Sequence, residues 1–327
     1  MFGRLSSRKA YAVLVILILL TASTFAVAKK IRSKKAIPKA KVMWREPNDA
    51  ASRDLYLGPG GESMKPDLRR LTLIKVEPGG YSKKYRVRDA SGREWIAKVG
   101  KEAQSETAAT RLLWGTGYYT DVDYLVPSVH VEGLNKTLKN VRFGARPKNE
   151  ERLDDPWKWK KNPFVGKREF QGLKVMMALL NNWDTKDSNN RVIVTSDEKG
   201  DDEARYVVHD LGGTFGKKMN WFERNLLFKR DRNSPNGYAK ARLVKKVENG
   251  RVHFNYWSKN GGVFKDVSVA DAEWAAAQLS RLSPAQIADA FRAANYSPQQ
   301  VRILTAAVQR RIAELNNLPR SERVARR

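Results

Sequence analysis

Four groups of residues, in one order along the chain, carry side chains able to do chemistry. Lys98 lies late on the segment Glu94-Trp95-Ile96-Ala97-Lys98-Val99, and Glu106 follows on a helical pattern. The polar stretch Asp184-Thr185-Lys186-Asp187-Ser188-Asn189 comes after an apolar helical pattern, and His209-Asp210-Leu211-Gly212 closes a pair of short apolar runs. Such side chains handle charge. An ammonium neutralises an anion, a carboxylate orients a hydroxyl, and carboxylate and amide oxygens hold a hard cation such as Mg²⁺. Each also has an ordinary role. Lys98 could guard a strand edge, Glu106 could face solvent from a helix, and the Asp and Asn residues could form turns. His209 reads better as a hydrogen-bonded hairpin residue than as a base.

The elements that must position these residues are legible. Leu71–Val76, Tyr85–Arg88 and Glu94–Val99 read as a three-strand meander, broken at Pro78-Gly79-Gly80 and Asp89-Ala90-Ser91-Gly92. A helix over about Glu102–Trp114 follows, closed by Gly115 and Gly117. Leu125–Val131 and Val141–Phe143 read as extended, and 147–164 as an irregular insert with Trp157 and Trp159 between lysines. Phe170, Leu173, Met177 and Leu180 form one apolar stripe on a helix over about Arg168–Asn181. Val192–Val194 and Tyr206–Val208 flank an acidic turn, as a hairpin would. Val269–Leu282, Pro284–Ala294 and Pro298–Leu315 are amphipathic helices, two of them opening on Ser-Pro.

With order and context together, residues of about 70–225 resemble the kinase superfamily. The matching features are a strand lysine, a helix glutamate, an Asp-x-x-x-x-Asn loop and an Asp-Leu-Gly where that superfamily has Asp-Phe-Gly. The atypical branch is the nearer likeness: HipA-like kinases, phosphatidylinositol kinases and secretory-pathway kinases. The resemblance implies an α+β, two-lobed protein-kinase-like fold, with a small mostly-β N-lobe and a larger helical C-lobe. It implies ATP and Mg²⁺ as cofactors. Lys98 would bind phosphate, with Glu106 as its ion-pair partner. Asp184 would orient or deprotonate the acceptor, Lys186 would neutralise the transferred phosphoryl group, and Asn189 and Asp210 would hold metal.

The chain departs from the family in several places. Pro78-Gly79-Gly80-Tyr81-Ser82 stands where a Gly-rich phosphate loop belongs. Gly79 and Gly80 could cradle phosphate through backbone N–H groups or form a plain hairpin turn. The interval from Lys98 to Glu106 is short, which leaves Glu102 as an alternative partner. Asn182-Trp183 replaces His-Arg before Asp184, and no Ala-Pro-Glu follows.

Composition bounds the rest. The 327 residues carry 62 Lys+Arg against 35 Asp+Glu, a formal net charge of +27. That excess favours anionic partners, yet no zinc-finger spacing, RNA-binding aromatic signature or basic heptad helix accompanies it, so specific nucleic-acid binding is not expected. There is no cysteine, which excludes disulfides, thiolate zinc sites and thiol catalysis. His130, His209 and His253 are scattered without metal-ligand spacing.

Ala10–Ala28 is uncharged, long enough to span a bilayer, and preceded by Arg4, Arg8 and Lys9. Ala26-Val27-Ala28 fits a signal-peptide cleavage site, whereas the basic run Lys29–Lys35 fits an anchor with that side in the cytoplasm. Membrane association through residues 10–28 and export after cleavage near Ala28 both stay open.

The expected organisation is then a signal peptide or anchor (1–28), a basic linker and irregular extension (29–69), an N-lobe (70–146), a C-lobe with C-terminal helices (147–318) and a disordered tail (319–327). The functional expectation is a membrane-associated or exported phosphotransferase using Mg-ATP, acceptor unknown. The alternative is a catalytically inactive kinase-fold binding module of the cell envelope.

Overall fold

The computed structural model describes residues 37–79, 82–134, 136–196, 201–218, 225 and 231–319. The chain divides into Met1–Ile37 and Pro38–Arg327, and every strand and helix named here lies in the second unit. The apolar stretch 10–28, the basic run after it, Gly80 and residues 320–327 lie outside the described residues. No helix among the described residues is long and apolar enough to cross a membrane.

The strands are β1 (Ala40–Val42), β2 (Leu71–Glu77), β3 (Lys83–Asp89), β4 (Glu94–Val99), β5 (Asp123–His130), β6 (Thr137–Ala145), β7 (Glu150–Arg152), β8 (Asn190–Ser196), β9 (Asp202–Val208), β10 (Val244–Glu248) and β11 (Arg251–Phe254). The helices are α1 (Glu102–Gly115), α2 (Arg168–Leu179), α3 (Pro235–Lys240), α4 (Val269–Ser280), α5 (Pro284–Ala293) and α6 (Pro298–Asn316).

The N-lobe is a five-stranded antiparallel sheet in the order β2-β3-β4-β6-β5. Its core is Val87, Trp95, Ala97, Val141 and Phe143, with Trp95 edge-on to Tyr124 and Phe143. β4 lies between β3 and β6, which makes it an interior strand and rules out the edge-guard role for Lys98. In register, Lys98 pairs with Arg142 on β6.

Helix α1 follows β4 directly. Ala103, Ala108, Ala109, Leu112 and Leu113 are buried, but so are Glu102, Ser105, Glu106, Thr107, Thr110 and Arg111. A helix covered on nearly every side has no solvent face for its charges. Glu106 and Arg111 must therefore find partners inside the protein.

The C-lobe holds a four-stranded sheet in the order β1-β9-β8-β7, with β1 parallel to β9 and the other pairs antiparallel. Residues 40–42 thus form an edge strand within the stretch read from sequence as linker, and Met43 beside them is buried. The insert 147–164 is likewise no surface excursion. Trp157 and Trp159 are 4 % and 1 % exposed, and the Trp157 indole donates to the Val207 carbonyl at 2.8 Å. Two indoles bury too much apolar area to be left outside the core they can reach.

Helices α4, α5 and α6 each begin with a complete capping box, at Ser268, Ser283 and Ser297. The hairpin β10–β11 was not foreseen. Its turn is Asn249-Gly250, both at positive φ, the dipeptide that a two-residue hairpin loop favours.

Candidate functional site

The Lys98 ammonium is the hub of the N-lobe side. It lies 2.7 Å from Glu106 Oε2, 3.1 Å from Glu102 Oε2 and 3.3 Å from Asp210 Oδ1. Glu106 therefore fills the partner role, and Glu102 joins it. Burial works to lower the Lys98 pKa, but Glu106, Asp210 and Glu102 outweigh it and hold the ammonium above its ordinary range. Burial would raise Asp210, yet Lys98, the Gly212 N–H and His209 prevail and keep its carboxyl well below the usual carboxylate range.

Three residues that the sequence motifs do not mark, Arg142, Asp123 and Arg111, complete this hub. Arg142 Nη1 reaches Glu106 Oε1 at 3.4 Å, and Arg142 Nε reaches Asp123 Oδ2 at 2.8 Å. Arg111 Nη1 meets Asp123 Oδ1 at 3.0 Å. The result is a buried chain of alternating charge, Lys98–Glu106–Arg142–Asp123–Arg111. A second branch joins Arg152 to Asp121 Oδ1 at 2.7 Å and His209 to Asp121 Oδ2. His209 is thus a hydrogen-bonded residue, as its sequence context indicated. Sequence held one signal for these residues: Arg142 lies between the apolar Val141 and Phe143, and Asp121 and Asp123 bracket Val122.

The loop opposite is built from the end of α2. Asn181 turns the chain at φ 52, and its side-chain amide donates to the Gly216 carbonyl at 2.8 Å. That left-handed residue stops the helix where an Asn tolerates the conformation. Asp184 then follows Asn182 and Trp183. Asn189, in the single turn Asp187–Asn189, donates to the Asp184 carbonyl at 2.6 Å. The backbone N–H groups of His209 and Asp210 both donate to the Asn189 carbonyl, at 2.8 and 3.1 Å. The Asp-x-x-x-x-Asn loop and the Asp-Leu-Gly stretch are therefore tied together.

Gly212 must be glycine, since a Cβ there would come 2.8 Å from Glu102 Cβ. The Gly212 carbonyl accepts from Ser105 Oγ at 3.1 Å, which seats this stretch against α1. Arg232 adds a second tie. It pairs with Glu102 and lies 5.1 Å over the Trp183 ring, linking α1 to the residue before Asp184.

Lys98, Glu106 and Asp210 are in direct contact, and Asp184 and Asn189 are joined to them through the shared backbone. Lys186 Nζ lies 3.2 Å from Asp184 Oδ2. Gly79 occupies the β2–β3 turn at φ 80 with open space around it, a conformation glycine adopts freely. Asp187 acts as a turn former, accepting from the Trp159 N–H at 3.1 Å. One cation on Asp184 was not foreseen: Lys259 Nζ lies 2.9 Å from Asp184 Oδ1. It comes from the segment after β11, and nothing in its local sequence marks it.

Asn189 and Asp210 fit a hard cation by their donor chemistry. The Asn189 amide nitrogen is engaged with the Asp184 carbonyl, which leaves Oδ1 as its acceptor. Asp210 spends Oδ1 on Lys98 and Gly212. Two oxygens are few for Mg²⁺, which ordinarily completes its shell with water and substrate phosphate. Among the described residues no group of three or more His, Asp or Glu forms a metal cluster by itself. A concavity of about 700 Å³ lies elsewhere, lined by Lys217, Lys240, Arg242 and Lys245 among others, and includes none of the residues above.

Comparison with known proteins gives structural likeness only. No protein-family model matches the chain. No curated protein matches it in sequence. Among solved structures, it is similar to the Helicobacter pylori proinflammatory kinase CtkA, at 13% identity and a TM-score of 0.47, over 77% of this chain and 97% of that one. It is also similar to the Rio2 kinase of Chaetomium thermophilum, solved with ADP/Mg²⁺ and phosphoaspartate, at 11% identity and a TM-score of 0.32, over 76% and 72%. Both of these proteins are kinases by name.

Proposed function

We propose that this protein is a phosphotransferase that moves the γ-phosphoryl group of Mg-ATP to an acceptor hydroxyl. The observation that carries the reading is the buried Lys98–Glu106 pair at 2.7 Å, with Asp210 at 3.3 Å from the same ammonium. A buried lysine ringed by three carboxylates is a costly structure for stability alone. It is well suited to receive the phosphates of a nucleotide, which would draw the ammonium away from Asp210 and free that carboxylate.

In this reading Lys98 binds the α/β-phosphates and Glu106 fixes Lys98. The turn at Gly79 would offer its backbone N–H to phosphate. Asn189 and Asp210 would hold Mg²⁺, which supplies charge neutralisation at the phosphate oxygens. Asp184 accepts the proton of the acceptor hydroxyl as its oxygen bonds to the γ-phosphorus and the bond to the β-phosphate oxygen breaks, releasing ADP. Lys186 neutralises the moving phosphoryl group.

The test uses γ-labelled ATP with the full chain, alone and with cell-envelope extract. Asp184→Asn keeps Mg-ATP affinity and loses transfer by roughly 10²-fold or more, as for a lost general base. A variant that transfers as well as wild type would remove Asp184 from the mechanism. A wild-type chain that binds ATP and transfers to no acceptor would support the alternative, a kinase-fold binding module.

Residues 10–28 are proposed as the membrane-directing segment, on their apolar length and basic flank. N-terminal sequencing and membrane fractionation test this. A chain that starts at Lys29 was cleaved, and an intact chain released only by detergent is anchored. An intact chain in the soluble fraction would contradict both.

A further inference from the structure

Asp184 carries a lysine on each carboxylate oxygen, and the two lysines are held differently. Lys186 Nζ is 3.2 Å from Oδ2 and sits within the loop itself, two residues on. Its side chain is 45% exposed, and the contact to Asp184 is its one ion pair among the described residues. Lys259 Nζ is closer, 2.9 Å from Oδ1, and comes from the segment between β11 and α4.

That segment is fastened to the Asp184 loop at several points. The Tyr256 hydroxyl donates to the Asn182 carbonyl. The Lys259 N–H donates to the Trp183 carbonyl at 3.0 Å. Asn260 donates its side-chain amide to the Thr185 carbonyl at 2.7 Å and its N–H to Thr185 Oγ1 at 3.3 Å. The Lys259 ammonium also stands 5.2 Å over the ring of Trp183, which is itself buried. Bonds at residues 182, 183 and 185 fix the main chain of Lys259 relative to Asp184 whatever the nucleotide does. The indole adds a modest cation–π attraction that keeps the ammonium in place.

An acceptor hydroxyl must reach one oxygen of Asp184, and both are engaged. Oδ1 is buried beside Lys259, so the oxygen a hydroxyl can reach is Oδ2, on the side of the exposed Lys186. We infer that Lys259 is a positioning residue for phosphoryl transfer: it stays on Oδ1 and fixes the plane of the Asp184 carboxylate, while Lys186 moves to the transferring phosphate and uncovers Oδ2 for the acceptor hydroxyl. The two cations then divide the work. Lys186 follows the nucleotide, and Lys259 aims the carboxylate. The inference rests on the phosphotransfer reading and adds to it a residue that neither motif nor spacing marks.

The experiment measures kcat and KM for ATP on the full chain, with water or the protein itself as acceptor, beside calorimetric titration with Mg-ATP. Lys259→Met is expected to lower kcat about 10- to 100-fold, the range for a misaligned reacting group. KM and Mg-ATP affinity should stay within about twofold, because the residue acts through Asp184 and not on the nucleotide. Lys259→Arg, which keeps a cation in place, should recover most of the loss. Lys186→Met should lose turnover and Mg-ATP affinity together.

A Lys259→Met protein with wild-type kcat overturns the inference. So does a kcat loss matched by an equal loss of Mg-ATP affinity, or one that arginine leaves unrecovered, since each describes a general structural role. A wild-type chain without any ATP turnover overturns the phosphotransfer reading itself, before any variant is compared.

Discussion

The two sides of the site treat charge in opposite ways. Around Lys98, one ammonium faces three carboxylates, and the side chains of Lys98, Glu106, Arg142, Asp123 and Arg111 are all 5% exposed or less. Around Asp184, one carboxylate faces two ammonium groups whose side chains are 45% and 38% exposed. Interactions among buried charges are strong, and breaking one leaves its partner stranded in a medium that cannot solvate it. Exposed pairs are screened and individually weak. The N-lobe side is thus part of the fold, whereas on the loop side Lys186 is free to exchange partners. The proposed phosphotransfer, which would hold a nucleotide rigidly and let an acceptor come and go, calls for both.

That contrast predicts unequal responses to loss of a carboxylate. Asp123→Ala would leave Arg111 and Arg142 buried without their shared partner, and should cost about 3–5 kcal/mol in urea denaturation. Asp184→Asn should move the same transition by less than about 1 kcal/mol, because its lysines can turn to water. Equal costs at the two positions would erase the distinction.

Acid should expose the same asymmetry more gently. Asp121 and Asp210 are both held below the ordinary carboxylate range. Burial opposes this at each, but Arg152 and His209 prevail at Asp121, and Lys98 and Gly212 at Asp210. A carboxylate depressed in the folded state stabilises it above the unfolded pKa, about 3.9 for Asp, and loses that contribution as pH falls toward the folded value. Stability should therefore decline from about pH 4 downward, with a shallower slope in Asp121→Asn. A parallel slope in that variant would show that Asp121 is not among the groups that titrate on unfolding.

Sequence made one half of this contrast legible. The turns at Pro78-Gly79-Gly80 and Ser91-Gly92 announce hairpins. These place Lys98 on an interior strand, with the helix of Glu106 directly after it. The three C-terminal helices were readable from their amphipathic pattern, and Ser-Pro marks the start of two of them. The charged chain beyond Glu106 was not readable. Arg142 and Asp123 meet Glu106 and Arg111 only because β5 and β6 fold back beside β4, a pairing that no local pattern encodes.

Lys259 was hidden for the same reason, since its partner is brought to it by a segment with no regular periodicity. Trp157 and Trp159 misled because irregular backbone between prolines resembles a loop even when its side chains are core. Asn249-Gly250 was the opposite case, a legible hairpin turn between short strands, Val244–Glu248 with Lys245 and Lys246 at its centre and Arg251–Phe254 of only four residues.

The proposed phosphotransfer requires nucleotide binding through Lys98 and Asp210. The direct measurement is the melting temperature of the full chain with and without Mg-ATP, in wild type, Lys98→Ala and Asp210→Ala, each checked for native folding by circular dichroism. A ligand that binds only the folded state stabilises it by about 2.7 kcal/mol at one hundred times its Kd, a rise of several degrees for a chain of this size. Wild type should show that rise and neither variant should. A folded wild-type chain whose melting temperature does not change at millimolar Mg-ATP would contradict the central claim.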